Sequence, residues 1–175
     1  MASAETPSIT LRDADEADLP ALVAIKGEGS EALHRDRFRQ AQGGDIRYLV
    51  AVRDREVIGF ALLVFRRPAA WSDAADTEHL PHIIDLQVAV SQRGQGYGSA
   101  FVRGIEREAA RAGYEELYTS CEPAENPRAY ALYQRLGYEQ LQPEPYLKAW
   151  EFVDSGGERH HGEDWRVDMV KSVRG

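Results

Sequence analysis

Glycine spacing carries the clearest chemistry in this chain. Residues 83–90 (IIDLQVAV) read as an apolar strand that turns at Ser91 and Gln92 into RGQGYGSA, residues 93–100. Gly94, Gly96 and Gly98 lack a Cβ, so backbone N–H groups can converge on a ligand at the start of a helix, where peptide dipoles favour an anion. A phosphorylated ligand is implied. A nucleoside-triphosphate loop would end in Gly-Lys-Ser or Gly-Lys-Thr, but Gly98 is followed by Ser99 and Ala100 with no Lys in the segment. A dinucleotide loop needs Gly or Ala at its sixth position, where the two registers put Ser99 and Phe101. The pattern that fits is Arg, two residues, Gly, one residue, Gly, filled by Arg93, Gly96 and Gly98, with Gln95 and Tyr97 between them.

A second constellation lies downstream in ENPRAYALYQRLGY, residues 125–138. Asn126 is placed to cap a helix, Pro127 suits its first turn, and Gly137 suits the left-handed position after its end. Ala129, Leu132, Tyr133 and Leu136 fall on one helical face. The two motifs, in this order and separated by a helix and a strand, resemble those of the GCN5-related N-acetyltransferase (GNAT) family. The first looks like its acetyl-coenzyme A loop and the second like its other cofactor motif, and the likeness is strongest over residues 45–140.

The resemblance implies transfer of an acetyl group from acetyl-CoA to a primary amine by direct attack in a ternary complex. It places Val88, Ala89 and Val90 along the pantetheine, with the backbone of Val88 and Val90 pairing to it. The pyrophosphate then lies on the amides of residues 93–98, with Ser99 adding a hydroxyl and Asn126 and Tyr133 closing the site. The Val88 N–H becomes the donor to the developing oxyanion, and Tyr133, seven residues after Asn126, becomes the general acid toward the departing thiolate. Where the family often has Pro, this chain has Val90. Family members that acetylate protein N-termini carry a Glu five residues before the Asn; here that position is Cys121.

For the base, Asp85 is the candidate, with two readings open: a carboxylate facing the acceptor cleft, or one buried and bonded to backbone. Glu122 and Glu125 precede the second motif in a turn rich in Pro and Ala, and are expected to face solvent. Cys121 has no His or Lys beside it and reads as a small buried hydrophobe rather than a nucleophile. Adjacent His160 and His161 cannot easily chelate one ion, so no metal is expected. Two rival functions remain: a non-catalytic acyl-CoA-binding module, and an acyltransferase using another acyl group or a hydroxyl acceptor.

The elements that must position these groups alternate along the chain. Residues 9–12 read as a first strand, followed by a helix through Leu19, Leu22, Val23 and Ile25 and a polar helix over 31–42. Residues 47–52 and 57–65 form a hairpin of central strands. Residues 66–82 are a long loop; its Trp71, Asp73, Asp76 and Glu78, with Tyr146 and Trp150 from the tail, are the candidates to line the acceptor pocket. A helix from Gly96 to Gly113, a strand over 114–120, the second-motif helix and a closing hairpin over 138–173 complete the chain. The first strand of that hairpin carries Pro143 and Pro145, which suit an edge or a bulge. The fold class is α/β (α+β): the GNAT fold, with a mixed central sheet of six or seven strands flanked by helices and a V-shaped splay between the strands at 83–90 and 114–120.

Composition bounds the rest. At 175 residues the chain reads as a single domain with a core large enough to need no disulfide or metal. One cysteine, no basic-then-apolar leader and only strand-length apolar runs point to the reducing cytoplasm and away from a membrane. A net charge of −8 argues against nucleic acid and permits a cationic acceptor. The expected partner is a small-molecule amine or a peptide, and a homodimer is compatible with all of this.

Overall fold

The computed structural model describes residues 7–67, 77–153 and 157–174. Strand β1 (Thr10–Asp13) leads through a short 3-10 turn into α1 (Leu19–Lys26) and α2 (Glu31–Ala41). Strands β2 (Ile46–Arg53) and β3 (Glu56–Val64) form the expected hairpin, turning on Asp54 and Arg55, both with positive φ. Strand β4 (His82–Val88), helix α3 (Tyr97–Arg111), strand β5 (Glu116–Cys121) and helix α4 (Pro127–Arg135) carry both motifs. Strands β6 (Glu139–Gln140), β7 (Tyr146–Val153) and β8 (Arg159–Ser172) close the chain.

The eight described strands run in the order β1-β2-β3-β4-β5-β8-β6, with β7 paired to the outer half of β8. Only β4 and β5 are parallel; the other pairs are antiparallel. The sheet has one strand more than the upper expectation, and β6 is a two-residue strand. Pro143 and Pro145 precede β7 rather than lying within it, because a residue without an N–H cannot extend the ladder with β8. Tyr114 also falls outside its expected strand, in the turn after α3, where its ring stacks on Phe65.

Each face of the sheet has its own core. Leu49, Ala61, Leu63, Ile83 and Leu117 point to the α3 and α4 side, where the fully buried Phe101, Ile105 and Ala109 recur at the four-residue spacing of a helical stripe. Burying side chains of the size of Phe101 or Ile105 stabilises the fold by roughly 1.5–3 kcal/mol each. Tyr48, Val50, Phe60, Leu62 and Val64 point to the opposite side, against Leu22 and Ile25 of α1 and Phe38 of α2. Both faces of β2 and β3 are therefore covered, which is why their sequences are nearly continuously apolar.

Strand β4 departs from regularity in two ways. Phe60 pairs with Gln87 and Leu62 with Ile84, so Ala61 alone opposes Asp85 and Leu86 in a β-bulge, and Asp85 takes a left-handed φ of 48°. Beyond His82↔Tyr118 and Ile83↔Thr119, β4 and β5 are no longer paired. The two strands splay from that point, as expected.

Candidate active site

The splay opens a cleft of about 1010 Å³. Its floor is the free edge of β4. Ala89 N–H donates to Ile58 carbonyl on β3, so by strand alternation the Val88 N–H and C=O face the open side. The Val88 carbonyl accepts a 2.9 Å hydrogen bond from Arg93 Nε, fastening the loop to the strand end. Strand β4 stops there: Val90 begins a 3-10 turn and is 72% exposed, a correction to the expected strand over 83–90.

The glycine loop forms one end of the cleft. Gly94 and Gly96 have φ of 77° and 85°, a region costly for any residue with a Cβ, and Gly96 caps α3 without a side chain. The first amides of α3 have no intrahelical acceptor and stand at the positive end of the helix dipole. Arg93, Gly94, Gly96, Gly98, Ser99 and Val88 all line the cleft. The lining does not include Ala89, Val90, Gln95 or Tyr97. Gln95 Nε2 donates to the Ser91 carbonyl, and Tyr97 is buried in the core under the Arg53 guanidinium.

Helix α4 supplies the facing wall. The Asn126 side chain accepts from Ala129 N–H at 3.1 Å, capping the helix as its sequence predicts. One side of α4 then presents Ala129, Leu132 and Tyr133 to the cleft. Tyr133 is 4% exposed and packs edge-on against Tyr138 with ring centroids 5.0 Å apart. Burial, reinforced by Cys121, pushes its phenol well above the ordinary value against an opposing hydrogen bond with Thr119, so it remains protonated and able to donate. Cys121 is 6% exposed in the same core, and burial pushes its thiol up to about 12.

Across the sheet the wall has different chemistry. Asp85 faces this side, because the bulge turns it toward α1 and α2. Its carboxylate accepts from Lys26 Nζ at 2.9 and 3.1 Å, Arg37 Nη2 at 2.7 Å and Gln87 Nε2 at 2.7 Å. Asp85 lines the cleft, as the first of its two readings expects, and its carboxylate is bound to two cations and an amide rather than to backbone. Burial would raise its pKa, but Arg37 and Lys26 outweigh burial and hold it below the ordinary carboxylate range. That makes it a poor proton acceptor.

Glu122, expected from its turn to face solvent, is instead drawn into the cleft. It follows Cys121, the last residue of β5, and the alternation that sends Cys121 into the α3 and α4 core, carried one residue further, sends Glu122 to the other face. That parity was the available signal. Glu122 is half-buried, lines the cleft, and its Oε1 lies 3.4 Å from Arg166 Nη2. Burial raises its pKa above the usual range, despite Arg166.

Of the remaining acceptor candidates, Trp150 lines the cleft, its indole lying over Gly162, where any Cβ would come within 2.5 Å of Cζ2. Tyr146 does not line it; its hydroxyl donates to Asp168 Oδ1 at 2.9 Å, beside the 2.5 Å bond from Tyr118. Glu78 is exposed and outside the lining, and Trp71, Asp73 and Asp76 lie outside the described residues. Arg67, His82, Lys148 and Arg166, none of them anticipated, also line this end. Among the described residues, no three His, Cys, Asp or Glu side chains are grouped to share a metal ion, and no helix is long and apolar enough to cross a membrane.

The geometry agrees with what is known of related folds. No curated protein matches the chain in sequence. Among solved structures, a ribosomal-protein-alanine N-acetyltransferase from Brucella melitensis is 25% identical, with 93% of this chain and 99% of that one covered at a TM-score of 0.63. A phosphinothricin acetyltransferase from Sinorhizobium meliloti in complex with acetyl-CoA is 23% identical over 95% and 89% of the two chains, TM-score 0.65. An aminoglycoside acetyltransferase in complex with coenzyme A and kanamycin is 21% identical over 94% and 95%, TM-score 0.68. The profile of the acetyltransferase (GNAT) family matches residues 11–138, both motifs included, and the chain belongs to that family.

Proposed function

We propose that the protein transfers an acetyl group from acetyl-CoA to a primary amine by direct attack in a ternary complex. One observation carries the reading: a single cleft joins the two faces of the sheet at the β4–β5 splay, with the glycine loop and Tyr133 on one side and Glu122 on the other. Donor and acceptor can therefore meet through the gap without a covalent enzyme intermediate.

The residues present suit acetyl-CoA. The left-handed Gly94 and Gly96 and the N-terminus of α3 can hold its phosphates, and the free β4 edge offers backbone groups to the amides of its arm. When bound, acetyl-CoA supplies an activated thioester. The chain does the rest. An alkylamine of pKa about 10 arrives protonated, and Glu122, a carboxylate of raised pKa on the acceptor face, accepts a proton from it directly or through water. The Val88 N–H donates to the carbonyl oxygen as negative charge develops there. Tyr133 donates its proton to the departing sulfur, and the second proton that the nitrogen sheds as the amide forms restores the phenol by way of the cleft. The phosphinothricin, aminoglycoside and ribosomal-protein relatives are named for different acceptors, so the fold leaves the acceptor to be read from this chain's own wall.

The test is CoA release across a panel of primary amines. The wild-type protein should turn over, and Tyr133→Phe should lower kcat about 100-fold, the scale of a lost general acid, with little change in the KM for acetyl-CoA. Binding of acetyl-CoA without turnover of any amine would overturn the reading in favour of a binding module.

A further inference from the structure

Three cations meet at the acceptor end of the cleft. Arg67 follows β3, Lys148 comes from β7 and Arg166 from β8, three segments far apart in sequence, and all three line the same wall. Strand parity puts them together. Arg166 stands opposite Tyr146 in the β7–β8 ladder and Lys148 opposite Asp164, so Lys148 and Arg166 share the face of that hairpin turned to the cleft. Arg67 reaches them across β5, its guanidinium 4.9 Å from the centre of the Tyr118 ring and its Nη2 3.2 Å from Thr77 Oγ1.

Gathering like charges is unfavourable unless something offsets it. Arg166 Nη2 is paired with Asp164 at 3.0 Å and, more loosely, with Glu122 at 3.4 Å, while its buried Nε has no partner among the described residues. Burial, then Arg166 and Arg67, hold the Lys148 ammonium below its ordinary pKa. His82, 7% exposed, sits among them, and burial followed by the same two arginines keeps its imidazole neutral. Its buried Nδ1 also has no partner among the described residues, and His82 lines the cleft. A neutral imidazole nitrogen and three cations on one wall are the donor set of an oxyanion site.

This cluster is not needed for the phosphates of the donor. The glycine loop, Arg93 and the α4 arginines Arg128 and Arg135 line the opposite end of the cleft, on the other face of the sheet. We infer that Arg67, Lys148, Arg166 and His82 form a subsite for a carboxylate carried by the acceptor, so that the substrate is an amine bearing an acid, of the amino-acid class. Glu122 then stands between the anchored carboxylate and the splay, positioned for the amine. The net charge of −8 belongs to the whole chain and does not describe this wall, where Arg67, Lys148 and Arg166 stand together with Glu122.

The proposal rests on the acetyl-transfer reading, and matched acceptors separate the two. CoA release is measured with leucine, methionine and phenylalanine and with their carboxamides. Binding of each to the CoA-loaded protein is measured by calorimetry. The free acids should be preferred at least tenfold in kcat/KM, against the trend of nucleophile availability, because an amide's amine is less basic and more often neutral. Arg166→Gln and, as a second site, Lys148→Met should each bring that preference to within about threefold while leaving the KM for acetyl-CoA unchanged. Equal or better use of the carboxamides, or a preference that survives both substitutions, overturns the subsite and leaves acetyl transfer standing. No turnover, with acid-selective binding lost in both variants, overturns acetyl transfer and leaves the subsite standing. Acid-blind binding with no turnover overturns both.

Discussion

The two faces of the splayed sheet are made differently. The face under α3 and α4 takes its groups from two continuous segments, residues 88–99 and 126–133, each a strand end or turn running into a helix. The opposite face takes Lys26, Arg37, Arg67, Asp85, Glu122, Lys148 and Arg166 from seven separate places in the chain. A site for a common donor can be written as local backbone geometry, because glycine φ angles and a helix N-terminus recognise phosphate whatever surrounds them. A site for a particular acceptor has to be assembled by tertiary contacts. The first is rigid by construction, while the second depends on what holds its pieces together.

The substitution that should break the acceptor face most severely is Asp85→Asn. Asn tolerates the left-handed backbone at this bulge, so the change removes the charge and little else. It leaves the Arg37 guanidinium, 9% exposed, without its carboxylate. The expected loss is about 3 kcal/mol of folding stability, the scale of a broken buried pair, measured by urea denaturation near neutral pH. The pH dependence has a definite sign. Since Asp85 is held below its unfolded value of about 3.9, its contribution is complete above that value and disappears as pH falls through the folded one. The gap between wild type and Asp85→Asn should therefore narrow below about pH 4. A gap that is constant with pH would mean that the ion pairs are not what ties α1 and α2 to the bulge.

That dependence explains which parts of the molecule were legible in its sequence. The hairpin β2–β3, the strand β4, both motif helices and the long closing hairpin follow from periodicity and turn residues, all short-range signals. Arg93, Gly96, Gly98, Asn126 and Tyr133 were legible for the same reason, and all of them line the cleft. Val90 was placed in a strand because an unbroken apolar run does not reveal where pairing stops. The partners of Asp85 were not legible because the bulge adds a residue and turns its side chain toward α1 and α2, whose Lys26 and Arg37 lie 59 and 48 residues away. Arg67, Lys148 and Arg166 carry no local pattern at all; only the register of β8 against both β5 and β7 brings them to one wall.

A smaller effect, on rate rather than stability, tests the assignment of the base. Glu122 is ionised only above a pKa raised over the ordinary glutamate range, so kcat/KM should climb through that higher pH as the carboxylate forms. In Glu122→Gln the climb should vanish and kcat/KM near neutrality should fall by about 100-fold, the low end for a general base. Activity assays of wild type and variant over a pH series check this. An unchanged profile would move the base to solvent and leave Glu122 as a partner of Arg166 alone.

The smallest expected effect is at the neighbouring residue, and it tests whether one step past the end of β5 really changes faces. Cys121 pairs with Val167 and lies in the apolar core beside Tyr133, lining the cleft from the donor face, while Glu122 lines it from the acceptor side. A thiol held at about 12 by burial is almost wholly protonated near neutrality, and a protonated thiol is not a nucleophile. Cys121→Ala should thus cost about 1 kcal/mol of stability for the lost sulfur and leave kcat within about threefold. Steady-state assays and intact-protein mass spectrometry after acetyl-CoA is added without an acceptor check both halves of the expectation. A stable mass increase of one acetyl group, absent from Cys121→Ala, together with a large fall in kcat, would replace direct transfer by a relay through the donor face. An unmodified wild-type protein and a nearly silent variant would mean that Cys121 only packs, and that the chemistry crosses from one face to the other at the splay itself.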